Sequence, residues 1–350
     1  GTKSAPGGRP AWLGATAGEP VVTANLSFLY HRRHRFRDGE GEPAIPYGAL
    51  DSRLVPYALA SPNQFDAGSC LFMASTGAME LLMNQLLPGG SFQLGGDTDL
   101  SERYLMNASE HASPKQLRYV LTDTIYTYNV FSGSLLDRDY PFAIGYVKET
   151  ASGDIVKAKE SDPDAYASCA YSWFDELPEG WEGKVTPTPP VERTSIFVDP
   201  KRDDQSYWRV ALMDWSVVDK IKYELRTKQA PIVVVYNHFL YWHAVMIVGY
   251  DDTVDAKGCG MVDQAVSYFK KNGAKSYADK IEKHKQNNGG CTEKGIFFVR
   301  DSIYDGGSEE PMYTYGGGYG YKEKYSKRII EEDYDWVTYL GNHAYAVHRR

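Results

Sequence analysis

One segment constrains the fold most: an apolar helical pattern that begins directly after a Gly-Ser-Cys triplet at residues 68–70. Large apolar residues recur there every three or four positions, which predicts a helix with a buried face. These residues are Phe72, Met79, Leu82, Met83 and Leu86. Pro-Gly-Gly at residues 88–90 predicts the end of the helix. Ser69 is the expected N-cap, so Cys70 is expected in the first turn.

A cysteine in the first turn of a helix has two interpretations. Free cysteine is among the most buried residue types, so Cys70 can be a small apolar residue inside its own helix. Alternatively, unpaired N–H groups and the positive end of the helix dipole favour the thiolate, which is the nucleophilic form of cysteine. The neighbouring residues therefore have to decide between a structural and a chemical role.

Gln64 favours the chemical role. Gln64, a short loop, the Gly-Ser-Cys triplet, the aromatic Phe72 and Ala74 together resemble the active-site signature of papain-like cysteine peptidases. The resemblance implies that Cys70 is the nucleophile. It also implies that the Gln64 amide and the Cys70 backbone N–H form an oxyanion hole, in which each donor contributes roughly 3 kcal/mol.

Two later segments resemble the parts that such a nucleophile needs, a base and a group that orients it. Residues 243–251 read His-Ala-Val, an apolar stretch and Val-Gly-Tyr-Asp, like the histidine strand of the family. Residues 295–302 resemble the family's next strand, with Asp301 in the place of its asparagine. The resemblance implies that His243 is general base and then general acid, and that Asp301 fixes its tautomer. His238 competes with His243, but the residues that follow His243 match the family.

Two family features are missing from the sequence. Ile303 stands where the family has the tryptophan that shields the histidine hydrogen bond, so we expect this bond to be wetter or covered by Trp242 or Tyr304. The glycine pair that binds the substrate backbone in the family has no clear equivalent between Asn107 and Tyr140. Substrate placement is therefore open.

The resemblance also implies the fold. Residues 100–107 resemble the family's Leu-Ser-Glu segment, and residues 139–142 resemble the Tyr-Pro-Tyr that ends its helical lobe. The expected fold is α+β with two lobes, a helical lobe around the nucleophile helix and an antiparallel β-barrel-like lobe. The expected divisions are an N-terminal extension at 1–47, a helical lobe at 48–147, and a β lobe at 148–350 with an insertion at 251–294.

Three local patterns in the β lobe add detail to this division. Apolar spacing inside the insertion predicts two short helices. Its acidic start, residues 251–255, lacks a calcium-loop pattern and is interpreted as a solvated turn. The run Trp-Val-Thr-Tyr at residues 336–339 is interpreted as a strand that closes the sheet.

Composition limits the partners. A chain of 350 residues is long enough for two lobes, and its formal net charge of −8 argues against a nucleic-acid-binding surface. No run of 18 or more apolar residues predicts a membrane span. The resemblance implies a protein or peptide substrate and neither a cofactor nor a metal ion. The sequence leaves the oligomeric state open.

The cysteines give an ambiguous indication of the compartment. If Cys70 is a free nucleophile, the remaining cysteines are Cys169, Cys259 and Cys291, and the last two bracket the insertion as the best disulfide pair. They lack the spacing of a zinc site. Alanines replace two cysteines that form disulfides in the family, which weakens the case for an oxidising compartment. The first residues show no signal peptide, so we expect any export sequence to have been removed. A secreted or periplasmic location is favoured over a cytoplasmic one.

Three functions remain open at this point. The first is a thiol peptidase, endo- or exopeptidase, that cleaves peptide bonds through an acyl-enzyme on Cys70. The second is a transglutaminase-like acyltransferase or a bacteriocin-leader-type peptidase, because both use Cys, His and Asp in this order. The third is a catalytically weak or inactive papain-like scaffold used for binding. The segments at 100–107 and 139–142 favour the first over the second.

Overall fold

The structure is a computed structural model, and it describes the parts of the chain that surround the segments discussed above. The described residues are 50–59, 61–62, 69–87, 95–112, 124–140, 142, 146–148, 155–157, 177–198, 212–238, 241–256, 258–302, 313–316, 322–326 and 329–350. Residues 1–47, the expected N-terminal extension, and Gln64 lie outside them.

Helices and strands alternate irregularly along the described chain. The α-helices are α1 Cys70–Asn84, α2 Glu102–Ala112, α3 Thr127–Phe131, α4 Ser216–Tyr223, α5 Gly260–Lys271, α6 Lys275–Asn287 and α7 Asp335–Leu340. The strands are β1 Leu50–Asp51, β2 Ser61–Pro62, β3 Gly133–Ser134, β4 Tyr146–Lys148, β5 Ile155–Lys157, β6 Thr186–Pro187, β7 Val191–Val198, β8 Ile232–His238, β9 Tyr241–Asp255, β10 Lys294–Arg300, β11 Tyr313–Gly316, β12 Lys322–Ser326, β13 Ile329–Asp333 and β14 Gly341–Arg349. Helix α4 continues as a π-helical turn, Glu224–Lys228.

Helix α1 is central to the packing. It contacts β8, β9 and β14 of the large sheet and also α2. Every residue of α1 except Met83 is buried, so other parts of the protein pack around the helix on nearly all sides rather than on one face. The helix ends at Asn84, where the Gln85 N–H donates to the Leu81 carbonyl over 3.0 Å. The start at Cys70 agrees with the sequence prediction. Residues 88–90, which were expected to end the helix, lie outside the described part.

The large sheet brings distant segments together. Its strands follow the order β13-β10-β9-β8-β14-β7, β1 pairs with β9, and every pair is antiparallel. The hairpin of β8 and β9 places Tyr236 opposite His243. Strand β10 pairs with β9, and its register shifts between Phe298 and Val299, close to its end at Arg300. Such a bulge bends a strand and changes the direction of the side chains that follow.

The insertion after the histidine strand is a helical hairpin. Strand β9 continues through Asp255, so helices α5 and α6 lie between Ala256 and the start of β10. The predicted pair of short helices is confirmed. A disulfide joins Cys259 to Cys291 at the base of the hairpin, which confirms the predicted pairing. The expected domain boundaries stay predictions.

Two local interpretations were wrong. The segment with Trp336 forms helix α7 instead of a strand, and β14 directly after it supplies the sheet strand. Helix α7 is buried on all sides, so its aromatic and β-branched residues resembled a buried strand. The acidic segment after Tyr250 is the end of strand β9 rather than a solvated turn. Asp252 is buried there and forms an ion pair with Lys222. Because Lys222 lies 30 residues earlier in the chain, in helix α4, the sequence pattern around Asp252 gives no sign of this partner.

The α+β class is confirmed by this arrangement, because the described chain combines helices with a large sheet in which every strand pair is antiparallel. One hydrophobic core is shared by α1 and the large sheet. A small second cluster lies in the helical part and contains Tyr104, Ala108, Leu135 and Tyr140. Within the described ranges, none of the helices has both the length and the apolar character needed to cross a membrane.

Candidate active site

Cys70 is the first residue of α1. Its side chain lies in the core with only 4% of its surface exposed, and among the described cysteines it is the one outside a disulfide. Ser69 occupies the N-cap position, but its side chain makes no capping hydrogen bond. The first N–H groups of a helix lack partners within the helix, and the dipole is positive at this end. Cys70 therefore lies where a thiolate would be stabilised.

His243 and Asp301 form a hydrogen-bonded pair between neighbouring strands. His243 belongs to β9, and Asp301 follows the last residue of β10. The Nε2 atom of His243 lies 2.7 Å from Oδ1 of Asp301. The histidine side chain is 1% exposed, whereas the aspartate is 15% exposed and so keeps contact with solvent. The structure thus brings together the two residues that the sequence assigned as base and orienting group.

The electrostatics of His243 favour its charged form. Burial by itself lowers the pKa of the imidazole, because a charge is poorly solvated in the core. The negative charge and hydrogen bond of Asp301 oppose this effect, as does the interaction with the Cys70 side chain. The result is that the pKa of His243 rises to about 10. A charged imidazole therefore interacts with the Cys70 side chain.

Aromatic rings cover the imidazole on one side. The Tyr236 ring meets the His243 ring edge-on with centroids 5.6 Å apart, and the Trp336 ring lies 4.7 Å behind Tyr236. Both aromatic side chains are buried. Sequence analysis missed this cover and suggested Trp242 or Tyr304, whose side chains lie outside the described part. The pairing of β8 with β9 could have indicated Tyr236, since it places residue 236 opposite residue 243.

The other residues expected at the site are Gln64, Ile303 and the competing His238. Gln64 and Ile303 lie outside the described residues, so the role of Gln64 in an oxyanion hole stays a prediction. His238, the competing histidine, ends strand β8, and its side chain is likewise not described. The histidine that forms a hydrogen bond with Asp301 is His243. Where the structure describes the chain, no cluster of three or more His, Cys, Asp or Glu side chains is arranged to hold a metal ion.

This arrangement has the chemical parts of a nucleophilic site. A thiol at a helix N-terminus lies beside an imidazole, and a carboxylate holds the imidazole from the other side. Cys70 comes from a helix, His243 from a strand, and Asp301 from the residue directly after the neighbouring strand. Such a constellation can transfer an acyl group through a covalent thioester.

No protein-family model matches the sequence, and a search of curated proteins finds no match. Solved structures with a similar fold include the digestive procathepsin L2 proteinase from the larval midgut of Tenebrio molitor. It is 16% identical, with a TM-score of 0.41 over 87% of this chain and 69% of that chain. A structure from a study of the mite allergens Blo t 1 and Der p 1 is 13% identical, with a TM-score of 0.40 over 90% of this chain and 74% of that one.

A third similar structure contains the cysteine protease and lectin-like domains of Cwp84, a surface-layer-associated protein of Clostridium difficile. It is 12% identical, with a TM-score of 0.43, and the match covers 98% of this chain and 57% of that chain. The expected similarity to papain-like cysteine proteases is therefore found among solved structures too.

Proposed function

We propose that this protein is a cysteine-type peptidase that uses Cys70 as nucleophile, His243 as general base and acid, and Asp301 as the group that orients His243. The observation that carries the proposal is that one buried imidazole, His243, pairs with Asp301 over 2.7 Å and also interacts electrostatically with the Cys70 side chain. A buried structural cysteine does not require a charged imidazole beside it. A pair with this geometry is instead typical of an activated thiol.

The chemistry follows from the positions of the side chains. The Cys70 sulfur attacks the carbonyl carbon of a peptide bond, and the His243 imidazolium gives its proton to the leaving amine as the C–N bond breaks. Water then attacks the thioester, and neutral His243 takes one of its protons. The carboxylic acid leaves, and the proton on His243 restores the thiolate–imidazolium pair. Asp301 stays ionised and holds the ring in place throughout.

The raised pKa of His243 has a direct consequence for this cycle. Since the pKa is about 10, the imidazole is protonated at neutral pH and is ready to act as the acid in the first step. The same strong pairing makes it a weaker acid than an ordinary imidazolium. We therefore expect acylation to be favoured by substrates whose leaving amine is readily protonated, which includes ordinary peptide amines.

The expected substrate is a protein or peptide, and Gln64 is the proposed second oxyanion donor beside the Cys70 N–H. A secreted or periplasmic location belongs to the same proposal. The disulfide between Cys259 and Cys291 supports it, because disulfides persist mainly in oxidising compartments.

Covalent labelling tests the proposal directly. Purified protein is treated with iodoacetamide or an epoxide inhibitor at pH 7, and labelled Cys70 is followed by intact mass and peptide mapping. We expect rapid labelling in the native protein, no label at residue 70 in Cys70→Ala, and a loss of at least about 100-fold in rate in His243→Ala. Slow labelling that His243→Ala does not change would overturn the proposed role of His243.

Activity measurements then separate hydrolysis from its alternatives. A mixture of unstructured peptides is incubated with the native protein and with Cys70→Ala, and the products are identified by mass spectrometry. New peptide ends that require Cys70 support a peptidase. Incorporation of an added primary amine at glutamine side chains, without new ends, would assign a transglutaminase-like acyltransferase. The absence of both reactions in a protein that labels rapidly would reject the peptidase and favour a binding scaffold.

A further inference from the structure

Arg300 directly precedes Asp301 and points into the core beneath helix α1. It is the last residue of β10 and is buried. Its Nε donates to the Leu59 carbonyl over 2.7 Å, and its Nη1 donates to the Met73 carbonyl, in the first part of α1, over 2.8 Å. One guanidinium therefore joins the strand that leads to Asp301 to the helix that begins with Cys70.

Glu80 gives the same guanidinium a third attachment to α1. The Nη2 atom lies 3.4 Å from Glu80 Oε2, and both side chains are buried. The Leu100 N–H donates to the other carboxylate oxygen of Glu80 over 3.0 Å. Burial raises the pKa of Glu80 to about 8 despite the opposing charge of Arg300. Hydrogen bonds to two carbonyls and a contact with a carboxylate fix the planar fork of an arginine in a way that a lysine cannot reproduce.

Gly77 provides the space for this arrangement. A Cβ atom built at Gly77 would lie 2.3 Å from Nη1 and 2.6 Å from Cζ of Arg300, closer than atoms can approach. Glycine within a helix costs about 1 kcal/mol relative to alanine. Its presence in the middle of α1 is explained by the guanidinium that lies against the helix backbone at this point.

Other charged groups surround the same region of the helical part. Glu102, Asp99 and Asp137 interact electrostatically with Glu80, and burial raises the pKa of Glu102 well above its ordinary value. Arg300 is the cation that faces this acidic group from the sheet side, and it lowers the pKa of both Glu80 and Glu102.

We propose that Arg300 is a positioning residue, seated in the notch at Gly77, that holds Asp301 and hence His243 in register with Cys70. This inference rests on the proposed function for its catalytic meaning. Asp301 is bonded covalently to Arg300, so a displacement of the guanidinium is transmitted to the next residue of the backbone. Misplacement of a catalytic group by about 1 Å can cost on the order of 100-fold in rate.

The sharpest test is Gly77→Ala, because it displaces the guanidinium without changing any charged group. The first readout is the titration of His243, followed by NMR of histidine-labelled protein with Cys70 blocked by a small disulfide in all variants. We expect the pKa of His243 to fall by about one unit or more in Gly77→Ala, which corresponds to a tenfold weaker preference for the charged form. The second readout is the rate of Cys70 alkylation in unblocked protein, expected to fall about tenfold.

Gly183→Ala is the matched control, because a Cβ at Gly183 would meet nothing within 4 Å. We expect both readouts to stay at their native values in this variant. If Gly77→Ala lowers stability but leaves the His243 titration and the alkylation rate of the folded protein unchanged, Arg300 is merely structural and the proposal is wrong.

Arg300→Lys is a second variant that keeps the proposal testable if Gly77→Ala folds poorly, because we expect the pKa of His243 to fall by about one unit or more in this variant alone. Arg300→Lys retains the positive charge without the fork, and lysine has room to move away from a methyl group at residue 77. We expect Gly77→Ala and Arg300→Lys to be strongly non-additive in the titration of His243. If the two substitutions shift the pKa of His243 additively, the proposed contact between Gly77 and Arg300 does not position His243.

The outcomes also separate this proposal from the proposed function. Absence of peptide hydrolysis by the native protein concerns the function alone, whereas the titration of His243 reports the effect of Arg300 in either case.

Discussion

Strand β9 carries two buried ion pairs with opposite characters. Near its start, His243 pairs with Asp301, and near its end, Asp252 pairs with Lys222 of α4. In the first pair, the aspartate is 15% exposed and the histidine has the Cys70 thiol as a further neighbour. In the second pair, both side chains are at most 2% exposed. The Lys222–Asp252 pair near the end of β9 is therefore almost completely buried, whereas the His243–Asp301 pair near its start is partly exposed through Asp301.

Aromatic rings surround the second pair. The Tyr334 hydroxyl donates to Asp252 over 2.6 Å, and Lys222 lies 4.6 Å from the centroid of the Tyr334 ring. Burial lowers the pKa of Lys222, although Asp252 opposes the effect. For His243 the opposite balance holds, and the pKa rises. We infer that the end of β9 near Asp252 serves the stability of the fold, whereas the end near His243 serves reactivity.

The largest expected effect concerns Asp252. Asp252→Ala leaves Lys222 as a buried, unpaired charge, and removal of one partner from a buried pair costs about 3–5 kcal/mol of unfolding free energy. Urea unfolding followed by tryptophan fluorescence measures the loss. The alkylation rate of Cys70 in the folded fraction is expected to remain at the native value.

Asp255→Ala provides the control for this prediction. Asp255 lies on the same strand, but its side chain is 86% exposed and its nitrogen partner on Lys294 is 3.8 Å away. Exposed pairs of this kind contribute about 0–1 kcal/mol, so the unfolding free energy should change little. A loss at Asp255 equal to that at Asp252 would contradict the distinction between the pairs.

The second expected effect concerns the disulfide beyond the end of β9. The two cysteines are 32 residues apart in the sequence. For a loop of this length, loop-closure entropy predicts that the disulfide stabilises the fold by ~3.5 kcal/mol. Double replacement of Cys259 and Cys291 by serine should lower the unfolding free energy by about this amount in urea titrations. The hairpin is also attached to α7, where Thr292 donates to Asp335 from both its N–H and its hydroxyl.

Cys70 chemistry is expected to be insensitive to the loss of this disulfide. Alkylation of Cys70 in the double-serine variant at pH 7 should proceed within about twofold of the native rate, if measured well below the unfolding transition. A rate that falls in parallel with stability would mean that the helical hairpin supports the site as well as the fold.

The sequence predicted those features that local patterns determine. The helix at Cys70 was predictable because its apolar residues follow a helical period and Gly-Ser precedes it. The partners His243 and Asp301 were found through motifs at strand ends. Their mutual distance, which makes them a site, became known only from the pairing of β9 with β10.

The features that sequence analysis missed depend on contacts between distant segments. Helix α7 consists of residue types that also suit a buried strand, and its tertiary surroundings decide between the two. Asp252 resembled part of a polar turn because its buried partner, Lys222, lies in another element. Tyr236 and Arg300 act through neighbours across the sheet and beneath α1, and neither belongs to a recognisable motif.

The smallest expected effect is a shift in the titration of His243 when its partner loses its charge. Asp301→Asn keeps a side-chain oxygen that can accept the Nε2–H, but it removes the negative charge. We expect the pKa of His243 to fall from about 10 by about one unit or more towards its ordinary value near 6.5. The rate of Cys70 alkylation by the anionic reagent iodoacetate, which the imidazolium attracts, should accordingly begin to decrease at a lower pH than in the native protein.

The pH dependence of stability provides a separate check with a defined sign. Because the pKa of His243 is higher in the folded than in the unfolded chain, the pair stabilises the fold fully below about pH 6.5, and this contribution is lost as the pH rises through 10. The difference in unfolding free energy between the native protein and Asp301→Asn should therefore be largest below pH 6.5 and smallest above pH 10. A difference that grows with pH would contradict a charged His243, and the contrast between the two ends of β9 would then reduce to a difference in burial.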